Sequence, residues 1–368
     1  MQTQDALIER ILDRICPDIR ALSAYHVADP GDAIKLDAME NPYQWDAELV
    51  EQWLEALRHA PLNRYPDPGA REVKEALRTS MQVPAAAEII IGNGSDELIQ
   101  ILIQAMSQPG QTLLAPEPSF VMYSLLAKSI GMDYVGVPLR ADDFALDMPA
   151  MLEAIATHQP ALIFIANPNN PTGNAFTSKD LESILEQSNG VVVVDEAYTP
   201  FADETFMPRL EEYPNLLVMR TVSKLGLAGL RLGLLAGHPA LLHELEKIRL
   251  PYNINVLTQL SAVFALQHAD VFAEQTRQIR ADRSKLAEEL GRLAGVEVWP
   301  SQTNFLLFRV AGAPELFQGL RERGILIKNL HGSHPLLADC LRVTVGTPQE
   351  NESFLKALSA LLEERATR

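Results

Sequence analysis

The stretch TVSKLGLAGLRLG, residues 221–233, decides how the chain is read. It follows NLLVM (215–219), an apolar run that predicts a buried strand. Lys224 therefore stands just past the end of such a strand, where an ammonium loses hydration. A glycine-punctuated turn comes next, and Arg231 lies seven residues beyond the lysine. A lone Ser-Lys pair is usually a surface loop, because lysine is rarely buried. Here the neighbouring sequence points the other way.

Outward from that stretch, short apolar runs alternate with helical patterns from residue 88 onward. AEIIIG, QTLLAPEPSF, DYVGVPL, PALIFIANP, GVVVVDEAY, NLLVMRT and LRLGLLAG read as strands. Several lack polar-apolar alternation, as in strands covered on both faces of a mostly parallel sheet. The fold class is thus α/β, and such sheets bind ligands at the carboxyl ends of their strands. Each distinctive polar cluster of the chain falls at one of those ends. After a long helical stretch near 270–294, VEVWP, TNFLLFRV, GILIKN and CLRVTVGT predict a smaller α+β unit. Residues 2–22 read as one or two amphipathic helices interrupted at Pro17, with Leu7, Ile8, Ile11, Leu12 and Ile15 on one side.

The clusters have identifiable chemistry. GNGSDE (92–97) joins a strand to a helix, and free amides at a helix start favour an anion. It is neither the dinucleotide fingerprint nor a P-loop, and taken alone it is an ordinary turn capped by Ser95 or Asp96. ANPNNPTG (166–173) holds two asparagines between prolines at a strand end, where an asparagine can donate a neutral hydrogen bond to a ligand oxygen, although Asn, Pro and Gly also make plain turns. VVVVDEAY (191–198) places Asp195 after four valines, where a carboxylate needs a cation or a donor. Tyr198, three residues on, reaches the same region. Lysine forms an imine with an aldehyde when its amine is deprotonated, and Arg231 with Ser223 suits a phosphate. A phosphate cup, a partner for a protonated pyridine nitrogen, a donor to a phenolate oxygen and an imine-forming lysine together match the handles of pyridoxal phosphate.

Bulk properties narrow the rest. A chain of 368 residues suggests about two domains. The formal charge of −17 disfavours a nucleic-acid partner. No apolar run approaches a membrane span, and the N-terminus lacks the pattern of a secretory signal, so a cytoplasmic setting is expected. Cys16 and Cys340 match no metal or redox spacing and are expected to be reduced thiols; the histidines show no ligand spacing either, and no metal is expected.

The strings KLDAMENPY, NRYPDPGA, GNGSDELI, NPNNPTG, DEAY, TVSKLGLAGLRLG and CLRVTVGT, in this order, resemble the fold-type I pyridoxal-phosphate enzymes of the aspartate aminotransferase class. Within that class they are most similar to the histidinol-phosphate aminotransferase family. The similarity runs from about residue 20 to the C-terminus, with Asp195 25 residues after Asn170 and Lys224 29 after Asp195. It implies a large domain with a mostly parallel seven-stranded sheet (46–255), a smaller α+β domain (256–368) and an N-terminal segment (1–45) packed on the small domain or a partner subunit.

Roles follow from the same resemblance. Lys224 would carry the cofactor and shuttle a proton, and Asp195 would pair with the ring nitrogen. Asn170 and Tyr198 would bond the phenolate oxygen. Ser95, Asp96, Ser223 and Arg231 would hold the phosphate, with Tyr65 reaching it from the partner of a homodimer. Phe120 would stack on the ring, where relatives often have tyrosine. Arg342 would bind a substrate carboxylate or phosphate, with Tyr25, Asn41 and Lys328 beside it. Met39 replaces a more usual asparagine, and the turn after Lys224 is a residue shorter than in some relatives; both bear on substrate preference. The implied reaction moves an amino group from L-histidinol phosphate to 2-oxoglutarate. An aromatic amino-acid aminotransferase, an amino-acid-phosphate decarboxylase and a non-catalytic cofactor-binding regulator are the alternatives, the last disfavoured by the missing basic module.

Overall fold

The computed structural model describes residues 4–24 and 28–367. Their strands, in chain order, are β1 (Ile34–Lys35), β2 (Glu88–Asn93), β3 (Thr112–Glu117), β4 (Asp133–Pro138), β5 (Leu162–Ala166), β6 (Val191–Asp195), β7 (Leu216–Thr221), β8 (Leu232–Gly237), β9 (Val296–Val298), β10 (Phe305–Val310), β11 (Ile325–Leu326), β12 (Lys328–Asn329) and β13 (Cys340–Thr344).

Seven of them form the main sheet in the order β2-β8-β7-β6-β5-β3-β4. Neighbours from β7 to β4 pair in parallel, and β8 runs antiparallel to both β7 and β2. The unbroken apolar runs are explained by burial on both faces: every residue of β5 and β6 is buried. Alternate residues of β6 serve opposite cores, with Val192 and Val194 in one and Val191 and Val193 in the other. The order changes direction where β3, not β4, follows β5. The carboxyl ends near this switch lead into the loops that carry Phe120 and Asn170, and Asp195 is the last residue of β6.

A four-stranded antiparallel sheet, β12-β13-β10-β9, forms a second unit with its own core, covered by the helices Ala313–Glu322 and Pro348–Ala366. The run GILIKN divides between two sheets, because β11 pairs in parallel with β1 while β12 pairs with β13. That pairing, Ile34 with Ile325 and Lys35 with Leu326, ties the N-terminal segment to the second unit. The helix Val256–Gln267 packs on the helices Ala47–Leu57 and Arg71–Ser80, on the side of the larger unit. Pro17 begins a second short helix, Pro17–Ala21, after Gln4–Leu12, and the apolar residues Leu7, Ile8, Ile11, Leu12 and Ile15 are exposed. Both cysteines are free, and among the described residues no single helix is long and apolar enough to cross a membrane.

Candidate active site

The ends of β2, β3, β5, β6 and β7 surround a cavity of about 420 Å³. Its wall brings together Ser95, Asp96, Phe120, Asn170, Asp195, Tyr198, Ser223, Lys224 and Arg231, all the cofactor residues expected from the sequence except Tyr65. Lys224 lies just past β7, in the short turn Ser223–Leu225. Its ammonium makes a long hydrogen bond to the Ala38 carbonyl at 3.4 Å and sits 5.7 Å from the centre of the Tyr198 ring. Desolvation in the cavity, then the nearby Arg342 guanidinium, lower its pKa from 10.5 to about 8, with Glu40 opposing. The amine is therefore far more available near neutral pH than that of an ordinary lysine.

Asp195 ends β6 and is buried. Burial raises its pKa from 3.8 to about 6, against hydrogen bonds that favour the ionised form. Those come from the Tyr123 hydroxyl to Oδ2 at 2.6 Å and from the Ala197 amide to Oδ1 at 3.1 Å. Tyr123 has no counterpart in the sequence reading. In VMYSLLAKSIG it looks like a core residue of a helix, and its three-residue spacing from Phe120 is the one available hint. The neighbouring Glu196 belongs to another network. It pairs with Arg220 and accepts from Thr205 and the Phe206 amide, so it braces β6 against β7 and leaves the cavity to Asp195.

The cavity's opposite side is held by Asn170. Its amide donates to the Tyr198 hydroxyl at 3.2 Å, and its oxygen accepts from Arg342 Nη1 at 2.5 Å. Tyr198 is buried, packs edge-on to Phe305 at 5.3 Å, and is held protonated by burial in spite of Arg342. Arg342 also donates to the Asp37 carbonyl at 2.9 Å and lies over the Phe305 ring. One polar chain thus links the Lys224 cavity to the second unit.

At the remaining end, the helix Gly94–Met106 begins with no side chain capping it. Gly94 has φ +76°, and a Cβ there would lie 2.7 Å from the Arg231 guanidinium. A Cβ on Gly233 would lie 2.7 Å from the Gly94 carbonyl carbon. These two glycines let β8 press Arg231 against the helix start. Arg231 meets Asp96 at only 3.4 Å, and Ser223 shares a 2.8 Å hydrogen bond with Thr221. Uncapped amides, a guanidinium and a hydroxyl around one point form an anion cup.

A second cavity, about 430 Å³, shares Met39, Phe120 and Asn170 with the first and is lined by Lys328 and Arg342. Lys328 and Arg342 are directly opposite in the β12-β13 register, so both side chains project from one face of that sheet. Met39 between the cavities has φ +53°, with its amide donating to Thr344 Oγ1 and its carbonyl accepting from Asn304. The left-handed conformation is one that asparagine adopts readily, which accounts for the residue more usual at this position. Asn41 departs from the expectation of a substrate contact. It lines neither cavity; its amide donates to the Leu225 carbonyl and to Gln275, bracing the Lys224 turn. Tyr65 is 79% exposed, stacked on Tyr252, and away from the chain's own cavity. Tyr25 lies outside the described residues.

A buried carboxylate, an activated lysine, a neutral amide-phenol pair and an anion cup surround one cavity and fit a phosphorylated pyridine aldehyde. Comparison with known proteins agrees. The chain belongs to the aminotransferase class I and II family, matching it over residues 31–358. More particularly, it is 57% identical over 354 residues to histidinol-phosphate aminotransferase 2 of Nitrosococcus oceani, covering 96% of this chain and 98% of the relative. Histidinol-phosphate aminotransferase from Sinorhizobium meliloti, solved in complex with pyridoxal-5'-phosphate, superposes with a TM-score of 0.84 over 96% of this chain and 98% of that one at 23% identity, a likeness of fold. L-threonine-O-3-phosphate decarboxylase from Porphyromonas gingivalis has a TM-score of 0.78 at 25% identity, over 90% of this chain and 99% of that one.

Proposed function

We propose that the chain is a pyridoxal-phosphate-dependent aminotransferase that transfers the amino group of L-histidinol phosphate to 2-oxoglutarate, yielding imidazole acetol phosphate and glutamate in histidine biosynthesis. The observation that carries this reading is the Lys328–Arg342 pair lining a cavity that shares Met39, Phe120 and Asn170 with the Lys224 cavity. Two cations there match a phosphate in one half-reaction and a carboxylate in the other. The names of the curated relatives support the same substrate.

The bound cofactor supplies an electron sink for charge developing at the substrate carbon. Lys224 would hold it covalently and, with its amine free, would carry a proton at the substrate carbon. Asp195 would pair with the ring nitrogen and favour its protonated form. Asn170 and Tyr198 would donate to the ring's oxygen, and Arg231, Ser223 and the amides of Ser95 and Asp96 would hold its phosphate. Covalent loading of apoenzyme should accelerate as pH rises and level off above about 8, where Lys224 is deprotonated. Stopped-flow absorbance measures this, and a rise continuing to the range of an ordinary lysine would contradict the activated amine.

Substitution Lys328→Met should lower kcat/KM for histidinol phosphate by about 10- to 100-fold, the cost of a charge-assisted contact, and should affect glutamate less. Equal losses with both substrates would remove Lys328 from phosphate recognition. Incubation with glutamate separates the alternatives: oxoglutarate formation marks an aminotransferase, whereas carbon dioxide released from a phospho-amino acid marks a decarboxylase.

The homodimer belongs to the same proposal. Leu62, Tyr65, Leu250, Tyr252 and Leu257 are exposed large apolar residues, and the Tyr65–Tyr252 stack offers an aromatic contact to a second copy. The exposed apolar side of the N-terminal helices is suited to the same use. A monomer in sedimentation equilibrium at micromolar concentration would refute the shared site. The packing of Val256–Gln267 on the helices Ala47–Leu57 and Arg71–Ser80 supports a boundary between the two units later than residue 256.

A further inference from the structure

Tyr123 lines neither cavity, yet it spends its hydroxyl on the carboxylate at the first cavity's base. The ring is fully buried, parallel to Phe164 within 8° at 4.6 Å, and edge-on to Phe120 at 5.6 Å. A buried tyrosine hydroxyl needs an acceptor, and a backbone carbonyl would serve packing equally well. Instead the hydroxyl donates to Asp195 Oδ2 at 2.6 Å, while the Ala197 amide donates to Oδ1. Each oxygen of Asp195 has one donor fixed by the fold, and the carboxylate still faces the cavity. The stacked ring leaves the hydroxyl little freedom to turn elsewhere.

We infer that Tyr123 is a positioning residue for the reaction: its hydroxyl keeps Asp195 ionised and aimed at the ring nitrogen of the bound cofactor. The groups around Asp195 show why such help is needed. Burial favours the neutral acid, and so do Asp96 from the helix Gly94–Met106 and the adjacent Glu196. Glu196 is turned toward Arg220, and Tyr198 is held neutral by its own burial. Among the groups acting on Asp195, Tyr123 and the Ala197 amide favour the charge. Through its contact with Phe120, which lines the cavity, the same side chain also supports the residue expected against the ring face. Ring-nitrogen and ring-face contacts are thereby set by one buried tyrosine. The inference rests on the cofactor reading above.

The test is Tyr123→Phe, which removes the hydroxyl and keeps the stacked ring. Apoenzyme affinity for pyridoxal phosphate is measured by equilibrium dialysis as a function of pH. Wild-type affinity should fall as pH drops through about 6, where Asp195 takes up a proton. In Tyr123→Phe that fall should move upward by about one pH unit, with binding about twofold weaker at neutrality, roughly tenfold weaker near pH 5, and convergence at alkaline pH. Lys224 titrates in both proteins and does not distinguish them. In an Asp195→Asn background, Tyr123→Phe should change nothing further. An unmoved midpoint, or a loss that is uniform at every pH and equally large in the Asp195→Asn background, would reduce Tyr123 to packing. A wild-type apoenzyme that does not bind pyridoxal phosphate would overturn both this inference and the cofactor reading beneath it.

Discussion

Replacing Lys224 by alanine is expected to lower turnover by about four orders of magnitude or more, the scale for losing a nucleophile and proton carrier together. Of the carboxylates on the cavity wall besides Asp195, Glu40 is paired with Lys35 and Asp96 with Arg231. Tyr198 is held protonated by burial and so cannot accept a proton readily. Asp195 is engaged by Tyr123 and Ala197 on the ring-nitrogen side, and Arg231 is a permanent cation. The fold should survive, because Lys224 gives the structure one long hydrogen bond to Ala38. Its desolvation cost also vanishes with the side chain. Lys224→Ala should therefore melt no lower than wild type as apoenzyme, while losing the visible absorption of the lysine-bound cofactor. Retained activity with that absorption band intact would remove Lys224 from its role.

The second large effect is expected at Asp195. Asparagine fits the same space: its oxygen can accept from Ala197, and its amide can donate to the Tyr123 hydroxyl. It cannot balance a protonated ring nitrogen, so turnover should fall by about a thousandfold, the size of a lost preorganised charge contact. Apoenzyme stability should move in the opposite direction. Because the folded-state pKa is raised to about 6, Asp195 contributes stability at low pH that is lost as pH rises through that value. At pH 7 and above the buried anion is a cost, and Asp195→Asn should stabilise the apoenzyme by on the order of 2 kcal/mol. Chemical denaturation of both apoenzymes at neutral pH measures this. An apo variant less stable than wild type would mean that the carboxylate is compensated beyond what Tyr123 and Ala197 provide.

Much of the site was legible because its residues follow strand ends. An uninterrupted apolar run marks a strand buried on both faces, and the polar residues just beyond it lie at the carboxyl edge of the sheet. Asp195 after four valines and Lys224 after β7 are both of this kind. What could not be read depends on how separate segments meet. Lys328 and Arg342 share a face only through the β12-β13 register. Asn41 sits beside a motif that suggests a ligand, yet the Leu225 carbonyl and Gln275 take its amide. Met39 gives no sign in sequence of its positive φ. Tyr123 is apolar by context, and its hydroxyl acquires meaning when β6 brings Asp195 within 2.6 Å. The glycines at 94 and 233 belong to the same class, since their need arises from a close approach of β8 to the helix start.

The most direct test of function is a single-turnover experiment with purified, cofactor-loaded enzyme and L-histidinol phosphate, with no oxo acid present. One equivalent of imidazole acetol phosphate per active site is expected, together with loss of the lysine-bound absorption band; adding 2-oxoglutarate should restore that band and release glutamate. Absence of the ketone product, while glutamate or an aromatic amino acid discharges the same band, would contradict histidinol phosphate as the amino donor.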